Sequence, residues 1–367
     1  MTLSRTLKVM RLGRVEYPDG LVLQAQLARE RRAGTTSDVL LLLEHPPAVT
    51  LGRGARAGHV LASPEQLAER GIGLYETDRG GDVTYHGPGQ LVGYPILDLS
   101  KDRADVRAYV RSVEEGLIRC LASFGLAAGR LPRWPGVWLG EEGRDARKIA
   151  ALGVHIARWI TTHGFALNVR ASLEDFQLIV PCGIAEAGVT SMEVELQQVP
   201  AWDAVETALV RAYSDVWQST VEEVLPAVKT ISVAVIRKVH GETDVLLLLR
   251  APERGGFWQL VTGRREPGET ASAAARRETW EETGRALSVQ SLDYRHAFAL
   301  GDTSPPIVAE EEAFSAVWEG EERVRLGPEH VELAWVSVEE ALRRLPFAGL
   351  RRAVQRATSL PGSTAWR

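Results

Sequence analysis

Gly263 to Gly284 reads GRREPGETASAAARRETWEETG, and this stretch decides how the second half of the chain folds. The run from about Thr270 to Thr283 predicts a helix, with Gly284 as its stop. At about 3.6 residues per turn, Glu278, Glu281 and Glu282 stand at i, i+3 and i+4, on one helix face. Three carboxylates so close repel one another unless a cation sits among them. Hard oxygen donors of this kind suit Mg²⁺ or Mn²⁺, which would bridge to the phosphates of a substrate. A merely solvated helix usually alternates its charges, and here Arg276-Arg277 compensates only in part.

Working outward, Ile231 to Ile236 and Val245 to Leu249 read as strong strands flanking the turn-like Gly241-Glu242-Thr243. Phe314 to Trp318 and Leu333 to Val336 are further strands, and Val338 to Leu345 begins as a helix. The first half mixes the same elements. Leu7 to Leu12 alternates like an opening strand, and Val39 to Glu44 is a short run of buried-strand type stopped by His45-Pro46-Pro47. Between Val106 and Leu126, the residues Val106, Val110, Val113, Leu117, Cys120 and Leu121 share one helical face. Ile149 to Val154 and Phe165 to Val169 look like strands, and Trp202 to Val224 reads as a closing helix. The join near Leu225-Pro226 is short and lacks Gly/Ser composition. A chain of 367 residues exceeds one ordinary core, so we expect two α/β (α+β) domains, 1–225 and 226–367.

Composition excludes several classes. There are 24 basic against 28 acidic residues before Pro226 and 19 against 20 from there on, so neither half has a nucleic-acid binder's basic excess. Two cysteines, Cys120 and Cys182, make no disulfide framework and fit a reducing compartment. No apolar run approaches a membrane span, and no cleavage signal follows the basic N-terminus, so the expected location is cytoplasmic with no membrane partner.

Chemistry in the first half centres on three segments. Arg79 to Gln90 (RGGDVTYHGPGQ) packs four glycines and a proline into twelve residues, a loop through which backbone can approach a ligand closely. Cys120 lies on an apolar helix face and reads as a filler, whereas Cys182, between Pro181 and Gly183, has no periodic apolar context. A free thiol with a pKa of about 8.5 is mostly protonated at neutral pH, so a nucleophilic cysteine needs a positive charge or base beside it. Lys148 is a candidate: the chain has 5 lysines against 38 arginines, and only lysine can give up its proton readily.

The first half, from about Leu7 to Val224, resembles the lipoyl(octanoyl) transferase family. It does so through RGGDVTYHGPGQ, KIAALG (148–153), HGFALNV (163–169) and VPCG (180–183), in that order. The resemblance implies the fold shared by lipoate and biotin protein ligases. It also implies transfer of octanoyl from octanoyl-acyl carrier protein to a lysine of lipoyl domains, in 2-oxoacid dehydrogenase complexes and the glycine cleavage H protein. Carried over motif by motif, Cys182 is the acyl-accepting nucleophile and Lys148 the residue that lowers its pKa. Arg79, Gly80, Gly81, Asp82, Val83, Thr84, Tyr85 and His86 match an acyl-binding segment. So do Ala151, Leu152 and Gly153, and likewise Gly164, Phe165 and Ala166. Phe165 stands where leucine is common, which implies a trimmed acyl tunnel and unchanged chemistry. No cofactor is implied for this half.

The second half, about Val228 to Arg356, resembles Nudix hydrolases. Gly263, Glu269, Arg277-Glu278, Glu281-Glu282 and Gly284 occupy all seven fixed positions of the Nudix pattern, while Thr279 and Arg285 stand where it prefers apolar residues. This implies an α/β/α sandwich in which water cleaves a small nucleotide-like diphosphate with the help of a divalent metal. Glu278 and Glu282 would be the leading ligands, with Glu281 alongside. Glu269 and Arg277 would support them, and Glu329 would join as in the dihydroneopterin triphosphate pyrophosphatase branch. Two alternatives stay open at this point: an ATP-dependent lipoate ligase, and a Nudix domain acting only as a binding or regulatory module.

Overall fold

The computed structural model describes residues 5–100, 104–141, 145–180, 187–320 and 323–359. The chain divides into two compact units, Met1–Leu225 with Gly301–Pro306, and Pro226–Leu300 with Ile307–Arg367.

The first unit is built on a mixed nine-stranded sheet. Its central strands, Asp38–Glu44 and Gln90–Ile96, pair antiparallel and are almost wholly buried, the burial being what the apolar run Val39 to Leu43 requires. Outward from them come Ile160–Asn168, Arg147–Ala157 and the hairpin Gly129–Leu131/Trp134–Leu139. Helices Val106–Ser123 and Trp202–Trp217 cover one face, where Val113, Leu117, Leu121, Leu209 and Tyr213 join one core cluster. Asp105 starts the first of these by accepting hydrogen bonds from Arg107 N (2.8 Å) and Ala108 N (3.0 Å). Val106, in the first turn, is 47% exposed, so the apolar face expected there begins one turn later. Cys120 is buried and its thiol is pushed up to about 12 by burial, as befits a packing residue.

The closing helix is shorter than expected. Gln218 takes the left-handed conformation (φ 52°) and ends it, and Ser219–Glu223 becomes a strand parallel to the opening strand Arg5–Arg14. Polar Ser219 and Thr220 and the paired acids Glu222-Glu223 masked a strand that lies at the sheet edge. A separate three-stranded sheet, Gly73–Glu76, Ala48–Leu51 and Val83–His86, lies where the glycine-rich segment was expected to be wholly loop.

The second unit is a seven-stranded sheet between helices. Alternation along Val228–Val239 sorts its faces. Ile231, Val233 and Val235 pack with Ala271, Ala274 and Ala275 of helix Ala271–Thr283, whereas Ala234 packs with Ala341, Leu350 and Ala353 of the helices opposite. Thr270 caps that helix through Ala273 N (3.2 Å), and Gly284 closes it at φ 75°. Thr279 fits the buried face because its hydroxyl donates to Ala275 O (2.6 Å). No helix among the described residues is long and apolar enough to cross a membrane.

Candidate active sites

Three separated motifs of the first unit become one wall through strand register. Ala151, Leu152 and Gly153 pair directly with Ala166, Phe165 and Gly164 on the antiparallel neighbour. The glycine-rich segment lies across this pair, fixed by Gly80 N donating to Val154 O (2.9 Å). Gly164 leaves no room for a side chain, since a Cβ there would overlap Gly93 O. The three segments enclose a cavity of ≈ 130 Å³. A cavity of about 150 Å³ holds a small apolar molecule such as benzene, so this one suits part of an acyl chain.

Arg79, Gly81, Asp82, Thr84 and His86 line the cavity together with Ala151–Gly153 and Gly164–Ala166. Gly80, Val83 and Tyr85 do not. Gly80 is spent on the backbone contact, and the strand's two-residue period turns Val83 and Tyr85 into the cluster around Val49 and Phe176. Arg79 is held from behind, donating to Thr50 O (2.6 Å) and Thr50 Oγ1 (2.9 Å). The lining also includes Tyr17, Tyr94, Pro135 and His163, which sequence reasoning did not single out. Of these only His163 carried a signal, since it opens HGFALNV; it takes φ 55° and bonds Asp78 Oδ1 (2.8 Å).

Two buried, neutral imidazoles stand here, His86 in the lining and His45 beside it. His45 donates from Nδ1 to Val15 O (2.6 Å) and accepts at Nε2 from Tyr94 OH (2.7 Å). His86 donates from Nδ1 to Gln90 Oε1 (2.7 Å), and Gln90 Nε2 donates on to Asn168 Oδ1 (2.9 Å). Burial pushes His45 down to about 4 and His86 down to about 3. An unfolded histidine titrates near pH 6.5, so the unfolded chain gains protons below that value while the folded one does not. Stability from these two groups is therefore complete above about pH 6.5 and drains away as pH falls toward 4 and 3. We expect the melting temperature of the first unit to drop by roughly 5–10 °C between pH 7 and 4.5, and His86→Gln to flatten the decline. Identical melting at the two pH values would count against it.

Lys148 is only 5% exposed, and its amine finds no hydrogen-bond partner among the described residues. Its Nζ lies over the ring of Trp138, 4.7 Å from the centroid. Cys182 lies outside the described residues. Both flanks of its segment are placed: Val180 N donates to His59 O (2.8 Å), and Gly188–Val189 pairs with Arg147 and Lys148.

In the second unit, Glu282 is 7% exposed with Oε2 unpartnered among the described residues, and burial, then the charge of Glu278, pushes its carboxyl well above the usual range. Burial also raises Glu278, which packs against Gly263 so closely that a Cβ there would overlap it. Arg277 ties the group together, donating to Glu278 Oε1 (2.7 Å), Glu281 Oε2 (3.2 Å) and both oxygens of Glu269 (3.1 Å). Glu329 is engaged by Arg250 (3.3 Å) and Arg254 (2.7 Å). Among the described residues, no three His, Cys, Asp or Glu side chains converge as a ready ligand set. The structure thus sets Glu278 beside Glu282 and holds Glu278, Glu281 and Glu329 on arginines. A divalent ion fits the chemistry of the place, because Glu282 offers a buried carboxylate oxygen, unpartnered among the described residues, beside the second carboxylate of Glu278.

The family profile described as "Lipoyl protein ligase A/B catalytic domain" matches residues 16–214, and the "NUDIX domain" profile matches residues 228–356. An octanoyltransferase of Myxococcus xanthus is 55% identical over 355 residues, 96% of this chain and 99% of its own. A match of that length spans both halves. An octanoyltransferase of Chloroflexus aurantiacus is 50% identical over 214 residues, 58% of this chain and 95% of its own. Among solved structures, the bi-partite lipoate protein ligase from Thermoplasma acidophilum, described with its E2 lipoyl domain, is 18% identical. That likeness covers 60% of this chain and 86% of the ligase chain, at a TM-score of 0.44.

Proposed function

The chain belongs to the octanoyltransferase family, carrying a lipoyl protein ligase A/B catalytic domain and a NUDIX domain, and from that premise we propose how each half works. We assign residues 1–225 to transfer and 226–367 to hydrolysis, both in the cytoplasm. The transferase takes octanoyl from octanoyl-acyl carrier protein and delivers it to the lysine of a lipoyl domain through an acyl-enzyme on Cys182. The observation that carries this is the buried amine of Lys148, unpaired with any carboxylate among the described residues, on the strand to which the Cys182 segment returns.

In the first step the Cys182 thiolate attacks the carrier thioester, the acyl carbon–sulfur bond to the carrier breaks, and the carrier sulfur leaves as a thiol by taking a proton from the Lys148 ammonium, which becomes the neutral amine. One thioester replaces another, so no ATP is required. In the second step the substrate lysine attacks the new thioester, Lys148 takes the proton of the incoming amine, and the cysteine sulfur leaves. The cavity of ≈ 130 Å³ holds the acyl chain meanwhile. The test is intact-mass analysis after incubation with octanoyl-acyl carrier protein, without ATP. An octanoyl adduct that maps to Cys182 and disappears on adding lipoyl domain is expected. Full turnover with no such adduct at any time point would overturn the reading, and strict dependence on ATP would restore the ligase alternative.

For the second half we propose metal-dependent hydrolysis of a small nucleotide-like diphosphate. Glu282 and Glu278 would hold Mg²⁺ or Mn²⁺, and Glu281 and Glu329 would join them by exchanging their arginines for it. The ion would supply charge stabilisation for the departing phosphate. Arg277 keeps Glu278 and Glu281 aligned meanwhile, and buried Glu282 excludes water from behind.

A further inference from the structure

An ammonium buried without a counter-charge is costly unless something else stabilises it. Lys148 has such a surrounding. Trp138 is its direct cross-strand partner, at a register shift between Val137 and Trp138 where the pairing slips by one residue. Bulges of this kind re-aim side chains beside active sites. The indole is itself fixed: it is 2% exposed, its Nε1 donates to Trp134 O (3.1 Å), and the Trp134 ring lies 5.3 Å away. Gly136, at φ 124°, lets the hairpin close over the amine, since a Cβ there would come within 2.8 Å of Ala150 O.

Among the described residues, Glu114 and Glu195 on neighbouring elements and Arg147 on the same strand are occupied elsewhere. Glu114 accepts from Arg130 (2.9 Å) and from Gly136 N (3.3 Å), while Arg147 and Glu195 pair with each other (2.8 Å). The face of an aromatic ring within about 6 Å of a cation attracts it without carrying a net charge. That difference has a chemical consequence. A carboxylate would hold the ammonium too firmly and cancel its field at a neighbouring thiol. A ring face stabilises the charge, leaves its field intact, and lets the proton go when the amine must act as base.

We propose that Trp138 is a positioning residue of the transferase, whose indole face holds and aims the Lys148 amine where, among the described residues, no carboxylate does. The proposal rests on Lys148 serving Cys182, so its test reads the two residues separately. Trace acetylation with acetic anhydride, quantified by mass spectrometry across pH, titrates Lys148 directly, with exposed Lys229 and Lys238 as references. Iodoacetamide labelling of Cys182 at pH 7 and steady-state kinetics read the consequence.

With Trp138→Leu we expect the acetylation rate of Lys148 at pH 7 to rise about threefold to thirtyfold. Cys182 labelling and kcat should fall by a similar factor while KM stays within about twofold, and Trp138→Phe should recover most of the loss. Because leucine in this hairpin could unfold it, the series is repeated with fluorinated tryptophans incorporated at position 138. These keep the ring's shape while weakening its face stepwise. A Lys148 titration and kcat that stay fixed across the fluorinated series would overturn the proposal. A Lys148 titration that moves while Cys182 labelling does not would sustain the role of Trp138 and refute the pairing of Lys148 with Cys182.

Discussion

Lys148→Met is expected to slow octanoyl transfer by about 10²–10⁴-fold, the usual contribution of a general acid–base group, without lowering the melting temperature. The two halves of this expectation come from one observation. Lys148 is 5% exposed and its amine has no hydrogen bond among the described residues, so beyond its contact with the Trp138 ring it contributes mainly a buried charge to the fold. Methionine fills nearly the same volume without that charge, and replacing a costly buried charge by a well-packed apolar side chain is commonly neutral or stabilising. A loss of activity with a loss of stability would describe a structural lysine; a loss of activity alone describes a functional one.

Lys148→Arg separates the two roles assigned to the amine. The guanidinium keeps a positive charge above the Trp138 ring but does not give up a proton at neutral pH. Attack by Cys182 should therefore survive while delivery to the lipoyl lysine stalls. Intact mass would then show the octanoyl-enzyme accumulating, with a single-turnover deacylation rate well below that of the wild type. An arginine variant that deacylates at the normal rate would remove Lys148 from the second step.

What the sequence could disclose follows the physics of each element. Strands buried on both faces announce themselves as unbroken apolar runs, and Asp38–Glu44 and Glu242–Arg250 stand where Val39 to Glu44 and Val245 to Leu249 were read. Helix Ala271–Thr283 stands where a helix from about Thr270 to Thr283 was read, with Gly284 as its stop. Edge elements were not. Ser219–Glu223 is polar because one side of it faces water, and it joined the preceding helix in the reading. The cavity shows the same division. Motif residues that touch it by backbone or short side chain were found, because glycine at 81, 153 and 164 leaves a mark in the sequence. Tyr17 and Tyr94 arrive from a helix start and a central strand whose local sequence says nothing about what they face. Trp138 was invisible for a related reason: its partner is set by a register shift, which no residue count along one strand predicts.

In the second unit, Glu282→Gln should lower metal-dependent hydrolysis by about 10²–10⁴-fold, the several kcal/mol that a bound ion contributes to transition-state charge. The substitution is nearly isosteric, so the helix face keeps its packing against the sheet while the site loses one negative oxygen. Glu281→Gln makes the same chemical change one position earlier on a side chain that is 45% exposed and held by Arg277 (3.2 Å). Its cost should stay within about tenfold, because water and Arg277 already satisfy that carboxylate. The contrast between adjacent glutamates carries the information, since both sit in the same helix and either change alters its net charge equally. Phosphate release from a panel of nucleoside diphosphate compounds with Mg²⁺ or Mn²⁺ measures activity, and calorimetric titration with Mn²⁺ measures the ion directly. Weakened Mn²⁺ binding in Glu282→Gln, with octanoyl transfer unchanged, is the expected pattern. If both variants hydrolyse and bind Mn²⁺ alike, Glu282 is a buried structural acid and the ion is held elsewhere.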